Sequence, residues 1–104
     1  MFIYNVTVHV EPPIEKEWLA WMKEEHLAEI LATGKFIEAK LFRVITDQDH
    51  GGISYATQYL CNSVNDYNAY LEENAIALKQ KAKERFGNSI LAFRTQLEQI
   101  YTQK

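Results

Sequence analysis

"FIYNVTVHV", residues 2–10, is the stretch on which the fold turns. Branched and aromatic side chains at this density favour extended chain, because they pack well on a pleated surface and crowd a helical one. Side chains alternate across a strand. One side therefore carries Tyr4, Val6, Val8 and Val10, and the other Ile3, Asn5, Thr7 and His9. The first side suits a core, and the second mixes amide, hydroxyl and imidazole with one isoleucine. A strand this unequal requires a packing layer on its apolar side.

Outward from that strand, Glu11-Pro12-Pro13 stops it and opens a helix, since a proline's missing N–H costs nothing in a first turn. The helix is expected from about Pro13 to Thr33, with Gly34 as a left-handed cap. "FIEAKLFRVI", residues 36–45, reads as a second strand, and "TDQDHGG" turns the chain into a third, Ile53 to Cys61. Ser63 and Asp66 resemble a capping box. Val64, Tyr67, Leu71, Ala75, Leu78, Ala82 and Phe86 then recur at helical spacing up to Gly87. Ser89 to Ile100 supplies a last strand. The order βαββαβ predicts a single ferredoxin-like α+β domain over 1–104: a four-stranded antiparallel sheet with both helices on one face.

The other sheet face is left bare. The final strand divides into Leu91, Phe93, Thr95 and Leu97 against Ile90, Ala92, Arg94, Gln96 and Glu98, and the first, more apolar set is expected on the helix side. The third strand places Tyr55, Thr57, Tyr59 and Cys61 there, whereas both sets of the second strand are apolar. The bare face would then hold Ile3, Ala56, Leu60, Ile90 and Ala92 beside Asn5, Thr7, Gln58 and Arg94. Such a patch usually marks an interface, and a second copy of the sheet, in a two-fold homodimer, is its natural cover. Asn5, Gln58 and Arg94 would form a hydrogen-bonded network on that dimer face or line a lumen for a ligand.

Composition excludes several classes. The chain of 104 residues has a net charge of -3 and no basic stripe for nucleic acid. No apolar run approaches a membrane span, and no signal sequence precedes Phe2. Cys61, the single cysteine, allows neither an internal disulfide nor a cysteine-rich zinc site; with these features it points to a cytoplasmic protein. Asp47, Asp49 and His50 do not make an EF-hand, because Gln58 stands where the bidentate carboxylate belongs. Neither metal nor cofactor is expected.

The chemistry that remains centres on "WLAWMKEEH", residues 18–26. On a helical wheel His26 follows Met22 and precedes Ile30 by four residues each, so it faces the sheet or the border of that face. An imidazole there can act as acid and base near neutral pH, or it simply packs in the core with a polar tip. Trp18, His26, Tyr59 and Tyr67 are the expected lining of a small-molecule pocket between helices and sheet. That reading requires a void there larger than one water. Two alternatives stand beside it: a cofactor-independent oxygenase or isomerase using His26 as base on an aromatic or polyketide-like substrate, and a pure dimerisation module.

"IYNVTV", "WLAWMKEEH", "LATGKF", "GGISYATQY", "RFG" and "AFRTQLE" together resemble a small family of uncharacterised bacterial proteins known as a domain of unknown function. Its fold is similar to the dimeric α/β-barrel superfamily. The resemblance spans nearly the whole chain and implies a homodimer and a pocket between helices and sheet. It implies no particular activity, and no catalytic residue transfers. "NAIALKQKAKERF" departs from the family pattern, which tends to show proline and histidine in that region.

Overall fold

The computed structural model describes residues 1–45 and 52–104; the segment with Asp47, Asp49 and His50, expected to turn the chain, lies outside them. Four strands, β1 (Phe2–Val10), β2 (Glu38–Arg43), β3 (Ile53–Cys61) and β4 (Ile90–Glu98), form one antiparallel sheet in the order β2-β3-β1-β4. Helix α1 (Glu15–Trp21) runs through a π-helical turn, Met22–His26, into α2 (Leu27–Ala32). The second connection is α3 (Val64–Glu73) followed by α4 (Ala75–Phe86). This is the ferredoxin-like α+β arrangement.

β1 pairs along its whole length with β3 on one side and β4 on the other. Residues directly opposite in such ladders point the same way. Tyr4, Val8 and Val10 of β1 and Tyr55, Thr57, Tyr59 and Cys61 of β3 are buried beneath the helices, as their alternation implies. The core falls into two clusters. Tyr4, Ile30, Phe36, Tyr59, Tyr67 and Tyr70 dominate one, and Val8, Val10, Trp18, Trp21, Met22, Tyr55 and Phe86 form the other. Val6 and Leu27 touch both. Large rings supply most of the buried area in a layer this thin, and truncating one typically costs about 3–5 kcal/mol.

β4 is turned over relative to expectation. Its register with β1 sets Ile90 against Val10, Ala92 against Val8 and Arg94 against Val6. These residues therefore share the helix side, and Arg94 is not on the bare face expected for it beside Asn5 and Gln58. Leu91, Phe93 and Leu97 lie instead on the bare face, 58%, 61% and 43% exposed. The physical reason is that the helices do not cover the far half of this strand. Arg94, Gln96 and Glu98 stay exposed on the helix side, which suits polar side chains there. In β2, Leu41 pairs with Thr57 and Phe42 with Ala56, so Leu41 faces the helices and Phe42 the bare side.

The bare face thus gathers Ile3, Phe42, Ala56, Leu60, Leu91, Phe93 and Leu97 around a small polar centre. There Asn5 Nδ2 donates to Thr7 Oγ1 and Thr95 Oγ1, both at 3.2 Å. Asn5 and Gln58 sit opposite each other in the β1–β3 ladder, as expected for this face.

The helices differ from the periodic reading in two details. The stripe over residues 64–86 is broken at Asn74, whose φ of -128° interrupts the spiral. Within α3 the buried side runs through Tyr67 and Tyr70, and Leu71 lies at the surface. Ser63 Oγ does accept from the Asp66 N–H, at 3.3 Å. Gly34 closes α2 with φ 78°, and a Cβ there would meet nothing within 4 Å. Gly34→Ala should accordingly cost only the left-handed backbone penalty, about 1 kcal/mol. A urea melt would read this as a lower midpoint with unchanged slope; an unchanged midpoint would show that the cap adapts.

Candidate functional site

Residues five apart on an α-helix point about 140° away from each other, given 3.6 residues per turn. The π turn changes that relation. The Leu27 N–H reaches back to the Met22 carbonyl, five residues rather than four, and the widened turn brings His26 over Trp21. Their rings stack with centroids 4.4 Å apart and planes 22° from parallel. Single π turns inside α-helices occur often at functional sites because they re-aim one side chain.

Beneath this turn lies a cleft of about 70 Å³ between helices and sheet, several times the space one water requires. Its floor is Tyr4, Val6 and Val8 of β1 with Thr57 and Tyr59 of β3; Trp18, Trp21, Met22, His26 and Ile30 wall one side, and Tyr70, Leu78 and Ala82 the other. Lys79 and Arg94 complete the lining. Both are exposed, so they mark the mouth.

Of the expected pocket residues, Trp18, His26 and Tyr59 line this cleft together. Tyr67 does not: it packs on Phe2 and Tyr4, with ring centroids 5.2 and 5.1 Å away, and its hydroxyl accepts from Gln96 Nε2 at 3.4 Å. Asn5 and Gln58 remain on the opposite sheet face. Arg94, expected with them, joins His26 instead, so the cleft unites two features that the sequence kept apart. Tyr4, Thr57, Tyr70 and Lys79 are additional lining residues. Thr57 had a visible signal, as the one aliphatic hydroxyl in the buried set Tyr55, Thr57, Tyr59, Cys61. Lys79 had none, because a lysine near a helix end reads as solvated.

Two polar atoms of the lining are buried without a hydrogen-bond partner, Thr57 Oγ1 and His26 Nδ1. Thr57 is only 1% exposed. Buried polar atoms are nearly always satisfied, so two orphans around one cleft point to an occupant, water or ligand, that satisfies them. Burial lowers the His26 imidazole from its ordinary 6.5 to about 4; the nearby Glu29 carboxylate opposes this and Lys81 reinforces it. His26 is therefore neutral at pH 7. Burial also raises the phenols of Tyr59, Tyr70 and Tyr4, which stay protonated as donors despite the lowering influence of the neighbouring Thr57 hydroxyl on Tyr59 and of Arg94 on all three. Lys79 is pushed below the usual lysine range by burial first and then by Arg94. Among the described residues no group of three His, Cys, Asp or Glu side chains comes together to hold a metal.

The family model for a domain of unknown function, DUF4286, matches residues 1–100. The chain belongs to this family. No curated protein matches it in sequence. Solved structures similar to this DUF4286 chain include a dimeric ferredoxin-like protein from an uncultured marine organism, with a TM-score of 0.69 and 11% identity, covering 97% of this chain and 96% of that one. A protein of the ethyl tert-butyl ether D (EthD) family from Bacillus halodurans is similar with a TM-score of 0.65 and 13% identity, covering 96% and 100%. At these identities the likeness concerns the fold, which it confirms as ferredoxin-like.

The lowered basicity of His26 has a consequence for stability. An unfolded chain takes up this proton near pH 6.5 and the folded one only near 4, so the unfolded state binds more protons in between, and stability falls as pH drops through that window. At about 1.4 kcal/mol per unit the contribution is at most roughly 3 kcal/mol, and less to the extent that the ring still sees solvent. Urea midpoints at pH 7 and pH 4.5 should diverge for the wild type and diverge less for His26→Gln. Equal pH dependence in both would show that His26 titrates normally.

Proposed function

We propose that this DUF4286 protein is a homodimeric module that binds a small organic molecule in the cleft between helices and sheet. The observation that carries this reading is the pair of unpartnered buried atoms, Thr57 Oγ1 and His26 Nδ1, facing an aromatic-walled space. A cleft built only for packing would place an apolar group at residue 57. The size of the space limits the occupant. An apolar cavity of about 150 Å³ accommodates benzene, and this one has about 70 Å³. A body of three or four carbon atoms fits; a polyketide-like or fused aromatic substrate does not enter without repacking Trp18 or Tyr59.

The enzyme alternative is favoured by one observation, the free Nδ1 of a neutral His26 in the lining. Its depressed basicity makes it a weak base beside the value near 7 that suits general catalysis, so binding is the better supported role. The homodimer is supported by Leu91, Phe93 and Leu97 on the bare face and by the similarity to a ferredoxin-like protein described as dimeric.

Two measurements test the two halves of this reading. Both tryptophans of the chain line the cleft, so their indole N–H signals report on its contents. A panel of four- to six-heavy-atom organic compounds, neutral and charged, should contain members that shift both signals saturably. Thr57→Val should weaken those members while raising the stability of the free protein by about 1 kcal/mol, because it replaces an unsatisfied buried hydroxyl with a methyl of similar shape. A panel that leaves both indoles unmoved, or a Thr57→Val variant less stable than wild type, would remove the binding reading. Separately, the protein should sediment at twice 12.1 kDa, and Phe93→Asp should reduce it to the single-chain mass with its helical signal intact. A wild type that sediments as one chain at micromolar concentration would remove the dimer.

A further inference from the structure

The mouth of the cleft carries two cations, Lys79 on α4 and Arg94 on β4. The salt bridges among the described residues use other cations: Lys35 with Glu73, Lys81 with Glu29, and Arg85 with Glu17 and Glu25. Among the described residues no carboxylate lines the cleft. Lys79 and Arg94 line the same opening, and Lys79 is less basic than usual, through burial first and then through the charge of Arg94. A chain with an overall charge of -3 has acidic groups to spare, and Lys81 and Arg85 of α4 are each paired with carboxylates. Leaving this pair without one is unfavourable unless something else supplies the negative charge.

The sheet register fixes where that charge belongs. Thr57, Val6 and Arg94 form one rung across β3, β1 and β4, all pointing to the helices. Two strand spacings separate Thr57 from Arg94, about 10 Å between backbones. The rung thus runs from an unpartnered hydroxyl at the closed end to a guanidinium at the open end, with apolar Val6 between.

We propose that the ligand of this cleft is a short-chain carboxylate, its charge held at the mouth by Arg94 and Lys79 and its three- or four-carbon body against Val6 and the aromatic wall. This rests on the binding reading above and names its chemical class. Arg94 offers a planar fork that matches a carboxylate in two parallel hydrogen bonds, and Lys79 adds a point charge. A hydroxyl or carbonyl at the far end of the body would meet Thr57 Oγ1 and His26 Nδ1. A phosphate ester fits less well, since the mouth offers two side chains and no run of backbone N–H groups.

The test compares butanoate, 4-hydroxybutanoate, butanamide and propyl phosphate on the full chain, followed through the Trp18 and Trp21 indole signals. Butanoate should bind about tenfold more tightly than butanamide, the scale of a charge-assisted hydrogen bond, and 4-hydroxybutanoate more tightly still. Added salt should weaken both acids and leave the amide unaffected. Arg94→Gln and Lys79→Gln lie at exposed positions and should leave thermal stability unchanged while erasing most of the preference for acid over amide. Butanamide binding as well as butanoate, propyl phosphate binding better than it, or an acid preference that survives in both variants would overturn the carboxylate assignment while the cleft remains a binding site. Indole signals unmoved by any of the four, and by the broader neutral panel, would overturn the binding reading itself.

Discussion

The double ladder of β1 is the constraint on which the rest of the structure depends. Each residue of this strand faces a partner on both sides, Tyr4 with Tyr59 and Gln96, Val6 with Thr57 and Arg94, Val8 with Tyr55 and Ala92. A slip of one residue in the β1–β3 ladder would exchange the two sides of a whole strand, sending the buried rings of Tyr55 and Tyr59 into water. The burial of Tyr4, Tyr55 and Tyr59 therefore fixes the β1–β3 ladder. The position of Arg94 is a by-product of the β1–β4 register, which places it beside Val6 whatever chemistry it performs. Packing and site are written in the same hydrogen bonds.

Above that floor, the π turn of Met22–His26 does a second thing that an unbroken α-helix would not. It keeps Trp21 and Met22 in the core, with Trp21 edge-on to Phe86 at 5.2 Å, and still brings His26 over the cleft. A helix without the widened turn would keep the imidazole near the side of Met22 but turn it away from Trp21, losing the stack of the two rings. The arrangement leaves a polar atom unsatisfied and an imidazole of depressed basicity in the core. The first lowers stability throughout, and the second lowers it as pH falls below about 6.5. Natural proteins keep such features mainly where binding or chemistry uses them, which is why the turn and the cleft are best read together.

The strands differ in how openly their residues declare their sides. In β1 and β3 one set of side chains is far more apolar than the other, so Tyr4, Val8, Tyr55 and Tyr59 could be assigned inward from alternation alone. In β4 the same rule points the wrong way, because Leu91, Phe93 and Leu97 outweigh Ala92 and Arg94 in hydrophobicity and yet face outward. Alternation ranks the two sides of a strand by their neighbours, and it cannot tell a core within one chain from a cover supplied by another. Trp18, His26 and Tyr59 were legible as a pocket because aromatic rings near a titratable side chain form a local signal. Arg94 and Lys79 were not, since their meeting depends on a strand and a helix adjacent only in three dimensions. The break at Asn74, which divides α3 from α4, likewise has no mark in the apolar spacing.

The reversed β4 also separates two roles that the sequence left entangled. With Arg94 on the bare face, a dimer partner and a ligand would compete for one surface, and covering the sheet would bury a guanidinium at considerable expense in desolvation. With Arg94 on the helix side, that conflict disappears. The bare face offers Phe42, Leu60, Leu91, Phe93 and Leu97 around an Asn5 already bonded to Thr7 and Thr95, so a second sheet pressed against it leaves no charge of this strand stranded. Charge and cleft stay on the far side, open to solvent beside Lys79. In the proposed assembly association and ligand capture therefore use opposite surfaces of a single sheet. They are linked through the backbones of β1, β3 and β4, whose alternate side chains serve one surface and then the other.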